Sequence, residues 1–418
     1  MKLLHTADIH FGSNAHGRID PSTGLNTRLQ DFKKSFDFMV QRAIEEDIDV
    51  FLFAGDAYRT ADPTPTQQRA FAECLKPIAE KDIPIVMIVG NHDHPVSYGK
   101  ASALDIFPYL DGDIHVFRQV DSTVIETKSG PLQFIALPWP IRSMLLTKEE
   151  YRSMQPGQVR EFIEQKYLDF VDRAVEKLDP SLPTVMAAHL SVHGAELSGS
   201  EHTSLIEHEP KFMVSQLAKA GIDYVALGHI HRYQDRNDGA SPPVVYSGSI
   251  ECVSFKEWDT PKGFVLVTIE AKNDKKDTQF QFIETPYRPF IAIHLDVREA
   301  EDPTAEILKE IGRHPVEDAI VRIRYQVQES RIADIDLSQI REALQNVHVI
   351  ASLERITEPL ERKRKTVVTK DSSLEEALRL YISQHETLAP LEEEMVKKAL
   401  ELEMEFELHR NTNHESIN

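Results

Sequence analysis

Short apolar runs that stop at polar clusters alternate along the chain with stretches whose apolar residues recur at helical spacing. Residues 1–10 open with such a run, and Leu29, Phe32, Phe36, Met39, Val40, Ala43 and Ile44 then keep a helical period, which predicts strand followed by helix. The pattern repeats with Val50–Ala54, a polar loop holding Pro63 and Pro65, a helical stretch over Gln67–Lys81 and the apolar run Ile83–Val89. The β-rich segments Ile114–Phe117 and Leu132–Leu137 precede a helix around Gln158–Leu178 and the runs Thr184–Ala188 and Tyr224–Leu227. Between those two runs a further helix is expected, from a first-turn proline at Pro210 to Gly221. Strands alternating with helices imply a layered α/β domain.

From Pro242 to Glu284 the pattern turns to strands: Val244–Ser247, Phe264–Glu270 and Gln279–Ile283, separated by turn residues. A smaller unit then reads strand (Phe290–Val297), helix (Thr304–Gly312), strand (Ala319–Gln326), helix (Ser338–Gln345) and strand (Val347–Leu353). The predicted organisation is a main domain over 1–285, a small α/β domain over 286–360, and a basic linker with a helical tail over 361–418. In the tail, Leu374, Ala377, Leu378, Tyr381 and Ile382 make one apolar stripe; Leu391, Met395, Ala399, Leu400 and Phe406 make another beyond Pro390.

Composition narrows the function classes. The 418 residues carry 47 Lys+Arg against 68 Asp+Glu, a net charge of −21, so coating nucleic acid through charge alone is excluded. An enzyme whose metal ions supply positive charge locally is not. Two cysteines, Cys74 and Cys252, build no disulfide framework, and MKLLHTADIHFG lacks the marks of a secretory signal. A reducing cytoplasm is expected, with no membrane span because no apolar run is long enough.

Five polar clusters follow predicted strands: Asp8-Ile9-His10, Gly55-Asp56, Gly90-Asn91-His92-Asp93, His189, and Gly228-His229-Ile230-His231. In an open α/β sheet the crevice beyond the strand C-termini binds ligands, so these residues should converge. Carboxylates, imidazoles and one amide oxygen suit Mn²⁺, Fe²⁺ or Zn²⁺. With an extended backbone, Asp8 and His10, or His229 and His231, would face one cavity by strand alternation. Seven candidate ligands (Asp8, His10, Asp56, Asn91, His189, His229, His231) exceed one tetrahedral ion and fit two that share Asp56 as a bridge. Two ions about 3.5–4 Å apart generate hydroxide at neutral pH and clamp the attacking and leaving oxygens at phosphorus, which implies phosphoester hydrolysis. His92 would stand over the scissile phosphate, stabilising developing charge or protonating the leaving oxygen.

The order DxH…GD…GNH[DE]…H…GHxH resembles the calcineurin-like metallophosphoesterase superfamily, and every position is matched. The resemblance implies an αββα sandwich, with one metal on Asp8, His10, Asp56 and His231 and the other on Asp56, Asn91, His189 and His229. Flanking text is similar to the SbcD-type DNA-repair exonucleases. It comprises Leu4-His5-Thr6-Ala7-Asp8, His189-Leu190-Ser191, Gly194-Ala195-Glu196-Leu197-Ser198, Ser200-Glu201, Ala226-Leu227, Tyr246-Ser247-Gly248-Ser249, Ser254-Phe255 and Lys262-Gly263. That resemblance implies Mn²⁺ dependence, 3′-to-5′ exonuclease and single-strand endonuclease activity on DNA, a homodimer, and a coiled-coil ATPase partner of the SbcC type; the tail stripes either hold that partner or pack on their own domain. Arg59 stands where some nuclease relatives carry a histidine, and is expected to meet a phosphate.

Other residues have plainer readings. His5 is expected to be structural, Asp93 and His94 either to cap the following turn or to act in catalysis, and Cys252 to be a small buried hydrophobe. His193, His202 and His208 read as solvated loop residues. Arg322 and Arg324 share a strand face and either track a DNA backbone or face solvent. The run Arg362-Lys363-Arg364-Lys365 is a solvated linker or a DNA contact. The alternatives to a nuclease are a small-molecule or phosphoprotein phosphatase on the same fold, and a scaffold that binds DNA ends without cutting.

Overall fold

The computed structural model describes residues 1–95, 99–140, 154–199, 209–272, 275–357, 373–383 and 389–402. Residues 362–365 and His202 and His208 lie outside that set. The chain opens with β1 (Lys2–Thr6), α1 (Thr27–Glu45), β2 (Val50–Phe53), α2 (Pro65–Ala79) and β3 (Ile85–Ile88), then β4 (Ile114–Phe117), β5 (Asp121–Ile125) and β6 (Leu132–Leu137). Next come α3 (Pro156–Val175), β7 (Thr184–His189), the short pair β8 (Ser191–Val192) and β9 (Lys211–Phe212), the single turn α4 (Val214–Leu217) and β10 (Tyr224–Gly228). The strands β11 (Gln234–Asp235), β12 (Val244–Tyr246), β13 (Gly263–Lys272) and β14 (Lys275–Glu284) follow.

Local sequence accounts for these boundaries. Helix α1 starts where the Asn26 side chain accepts the Arg28 backbone N–H at 2.9 Å, and it buries Leu29, Phe32, Phe36, Met39, Val40 and Ala43. Helix α2 starts on a capping box, with Thr64 and Gln67 bonded reciprocally and Pro65 in the first turn. Strands β1, β2 and β3 are nearly continuous apolar runs because both faces are covered.

Two six-stranded sheets result, in the orders β14-β13-β1-β2-β3-β4 and β11-β12-β10-β7-β6-β5. Leu3, Leu52, Val86, Phe134, Val185 and Ala226 fill the space between them. Phe32, Phe36, Phe51, Phe71 and Leu75 join the first sheet to α1 and α2, and Val171, Met186, Phe212 and Leu217 pack the outer side of the second. Three apolar layers of this kind make the expected αββα sandwich.

The helix expected from Pro210 to Gly221 is corrected. Residues Lys211–Phe212 pair with Ser191–Val192, and α4 is one turn that ends at Ala218 with ψ 62. Its apolar residues mix two spacings, and the available strand partner wins over helical propensity.

A three-stranded parallel sheet, β15 (Phe290–Asp296), β16 (Ile320–Gln326) and β17 (Val349–Ile356), carries α5 (Pro303–Ile311) and α6 (Leu337–Ala343) as its crossovers. Arg288 ties it to α1 through Asp31 at 2.7 and 2.8 Å, and Thr27 Oγ1 lies 2.8 Å from His348 Nε2. By contacts this sheet joins the sandwich in one compact unit, Met1–Gln326 with Arg331–Ile356. The second unit holds Val327–Ser330 and the chain from Thr357. In it α7 (Leu374–Ser383) presents Arg379 to Glu375, Glu392 and Glu393, and residues 392–402 are helical. Among the described residues no helix is long and apolar enough to cross a membrane.

His5 on β1 is fully buried, with Nδ1 3.0 Å from the Tyr224 hydroxyl. Burial lowers its imidazole to about 3, against a weaker opposing bond at Leu227. The folded state therefore binds fewer protons than the unfolded one between pH 6.5 and 3, and stability falls as pH drops through that window. At pH 5 this amounts to about 2 kcal/mol. Urea midpoints in EDTA should fall between pH 7 and pH 5 by more in the parent than in His5→Phe; equal falls would refute this.

Candidate metal centre

Strand registers bring the polar clusters to one end of the sandwich. Thr6 pairs with Phe53, and Gly228 pairs with His189, so the residues that follow β1, β2, β7 and β10 leave their sheets at matched levels. His10 Nε2 and His231 Nε2 lie 2.9 Å apart, and Asp56 Oδ2 is 3.7 Å from His10 Nε2 and 3.4 Å from His189 Nε2. The Asn91 amide oxygen is 3.0 Å from His189 Nε2 and 3.1 Å from His229 Nδ1. Ligand-type atoms of Asp8, His10 and His231, of Asp8, Asp56 and His189, and of His10, Asp56 and His92 gather within 4.8 Å of one another in each trio. All seven sequence-predicted ligands and His92 therefore share one hollow.

Strand alternation does not build it. The strand ends before Asp8, and Asp8, His10, Asp56 and His229 have φ of 53, 52, 61 and 90°, in the left-handed region. In place of the extended backbone that alternation predicts, left-handed turns aim these side chains. Each such residue costs about 1–3 kcal/mol, and the turns are held by neighbouring bonds. Asp8 N–H donates to the Gly55 carbonyl and His10 N–H to that of Asp56, at 2.9 and 3.1 Å. His229 N–H donates to the Asp8 carboxylate at 2.9 Å, and His92 N–H to Asp56 Oδ1 at 2.8 Å. Two glycines are dictated by crowding. A Cβ on Gly90 would lie 2.1 Å from Asp56 Oδ1, and one on Gly228 2.1 Å from the Ala54 carbonyl oxygen.

Electrostatics in the hollow call for cations. Burial raises Asp8 to about 6, with His189 and His231 opposing it. Burial also works to raise Asp56, yet the surrounding imidazoles, His189 foremost, hold it well below the ordinary carboxylate range. His189 is drawn up to about 9 against its own burial by the Asp56 charge, whereas burial and His231 push His10 well down. Asp56 and Asp8 thus hold a proton on His189 where a divalent ion would serve better. His10 Nδ1 is buried without a hydrogen-bond partner among the described residues. The donor set of carboxylates, imidazoles and an amide oxygen fits divalent cations.

Several supporting residues escape sequence reading. Asp93 accepts the backbone N–H groups of Asp56, Tyr58 and Gly90 at 2.8, 3.1 and 3.0 Å, bracing the second and third clusters together. Its expected role as a cap for the following turn is thereby replaced by a cross-link between turns. Glu209 Oε2 lies 2.9 Å from His229 Nε2, and Glu257 Oε1 2.8 Å from His231 Nδ1. The Trp139 ring lies against His229, centroids 5.0 Å apart. Of the arginines, Arg59 is half-buried, and its carbonyl lies 2.9 Å from His92 Nδ1. Arg322 lies over the Phe255 ring at 4.5 Å, and Arg324 on the same strand face pairs with Glu354.

The family model described as calcineurin-like phosphoesterase matches residues 1–233, which contain the seven candidate ligands and His92. The chain belongs to that family. Like other calcineurin-like phosphoesterases it is a metal-dependent phosphoesterase. It is 26% identical over 409 residues to the SbcD component of the SbcCD nuclease of Bacillus subtilis (strain 168), a match spanning 96% of this chain and 97% of the relative. To the SbcD component of the same nuclease in Staphylococcus epidermidis it is 26% identical over 312 residues, spanning 74% of this chain and 75% of the relative. The expected SbcD-type resemblance thus extends beyond the phosphoesterase motifs into the small sheet and tail.

Proposed function

We propose that the chain is a two-metal DNA nuclease that hydrolyses phosphodiester bonds, acts with an SbcC-like ATPase and DNA in repair or end processing, and works as a homodimer in the cytoplasm. The observation that carries it is the single hollow in which Asp56 faces His10, His92 and His189 while Asn91 faces His189 and His229. Asp8, His10, Asp56 and His231 would hold one cation, and Asp56, Asn91, His189 and His229 the other, with Mn²⁺ the metal of choice. When bound, the two ions supply a hydroxide nucleophile and neutralise charge on the phosphate. Asn91 and His229, held against each other, fix the second set of donors. His92, with Nδ1 bonded to the Arg59 carbonyl, turns Nε2 to the hollow where a leaving oxygen would sit. Arg59 would meet a flanking phosphate; Arg322 and Arg324, each already engaged by Phe255 or Glu354, would contribute less to DNA binding.

The test is a Mn²⁺ titration of cleavage on linear, circular and hairpin DNA, with and without the candidate ATPase, beside bis- and mono-ester substrates. Cleavage of linear duplex and faster turnover of the bis-ester are expected. Intact DNA with faster mono-ester hydrolysis would make the chain a phosphatase instead, and no turnover of either ester would leave the scaffold reading.

A further inference from the structure

We propose that the buried pair Glu257–Lys262 is a positioning device for His231, fixing the ring so that Nε2 is turned to the hollow. The proposal rests on the two-cation reading of that hollow and deepens it. Glu257 Oε1 takes His231 Nδ1 at 2.8 Å, while Oε2 accepts Lys262 Nζ at 2.7 Å and the Val253 N–H at 3.0 Å. Lys262 Nζ also donates to Ser249 Oγ at 3.0 Å, and both charged side chains are fully buried.

An ionised carboxylate can only accept, so the hydrogen at this contact sits on His231 Nδ1. Nε2 is the nitrogen that lies 2.9 Å from His10 Nε2. Alone in the interior, Glu257 would be costly as an anion, and Lys262 as a cation; side by side each makes the other tenable. The carboxylate divides its oxygens, one for the imidazole and one for the ammonium and the Val253 N–H, so it cannot rotate without breaking one of those bonds. His10, by contrast, has no hydrogen-bond partner on Nδ1 among the described residues. Of the two facing imidazoles, His231 is the anchored one. Outer-shell acceptors of this kind orient a ligand ring and raise its basicity.

The experiment uses the full-length chain, with Mn²⁺ titrated and the free ion followed by its electron paramagnetic resonance signal, and melting measured in EDTA. Glu257→Gln and Lys262→Met should each lower melting, because each takes from a buried charge the oppositely charged group beside it. The double variant Glu257→Gln/Lys262→Met should regain most of the melting temperature, yet bind one Mn²⁺ about 10- to 100-fold more weakly while the other stays near the parent value. Glu257→Asp keeps a charge opposite Lys262 but draws it back from His231, and should show the same selective loss if the double variant does not fold. Parental affinity for both ions in a folded double variant, or in Glu257→Asp, would reduce the pair to a structural ion pair. A parent chain that binds no Mn²⁺ at all would instead sink the two-cation reading and this proposal with it.

Discussion

Asp56→Ala is expected to lose metal and turnover together, with Mn²⁺-dependent DNA cleavage falling by about 10⁴-fold or more. The carboxylate is placed between both sets of donors, 3.7 Å from His10 Nε2 and 3.4 Å from His189 Nε2. Removing it withdraws a shared anion, and the several kcal/mol of charge stabilisation lent by two cations go with it, about 5 kcal/mol or more at 1.36 kcal/mol per tenfold. The variant also releases the His92 N–H, which donates to Oδ1, so the third cluster loses its tie to the second. Asp56→Asn separates these effects: it preserves the shape and most of the hydrogen bonding but not the charge. Both variants should fail to bind two Mn²⁺ in a calorimetric titration. Parental Mn²⁺ affinity in Asp56→Ala would show that the carboxylate bridges nothing.

The fold was legible where one physical signal dominated. β1 to β3 are apolar on both faces because helices cover one side and a second sheet the other, and such runs stand out from the amphipathic stripe of α1. It was illegible where two signals competed. Around Pro210, Phe212 and Leu217 are buried in the same layer, but Ser191–Val192 offers a strand partner that no local pattern could announce. Strand β5 went unread because four of its five residues are exposed and polar positions dominate it.

The site divides in the same way. Five of its seven candidate ligands crowd into motifs of three or four residues, which makes them conspicuous before any coordinates are known. The residues that support them do not. Glu209, Glu257 and Lys262 sit far from the motifs in sequence, and a lone Glu or Lys reads as surface because these side chains are almost never fully buried without partners. Asp93 was adjacent to the ligands, yet its three backbone donors come from turns 35 and 37 residues away as well as from Gly90. Nor could an alternating pattern reveal that Asp8 and His10 sit in left-handed turns, since that conformation follows from the Gly55 and Asp56 carbonyls beside them.

His92→Ala should bind both Mn²⁺ ions within a few-fold of the parent and yet cut DNA about 10²- to 10⁴-fold more slowly. The ring lies at the rim, centroid 4.7 Å from that of His10, and its backbone N–H rather than its imidazole touches Asp56. Truncation therefore removes a ring from the hollow and leaves the turn in place. Burial lowers His92 below the usual histidine range, partly offset by Asp56, so at neutral pH the free enzyme holds it uncharged, with the Nδ1 hydrogen given to the Arg59 carbonyl. Nε2 is then basic and gains a proton only when a phosphate brings its negative charge alongside. Two roles follow, and leaving groups tell them apart. If His92 protonates the departing oxygen, the variant should lose far less on a bis-nitrophenyl ester, whose leaving group needs no proton, than on DNA. Equal losses on both would assign the imidazole to charge stabilisation on the phosphate. DNA cleavage at the parental rate would remove His92 from the chemistry altogether.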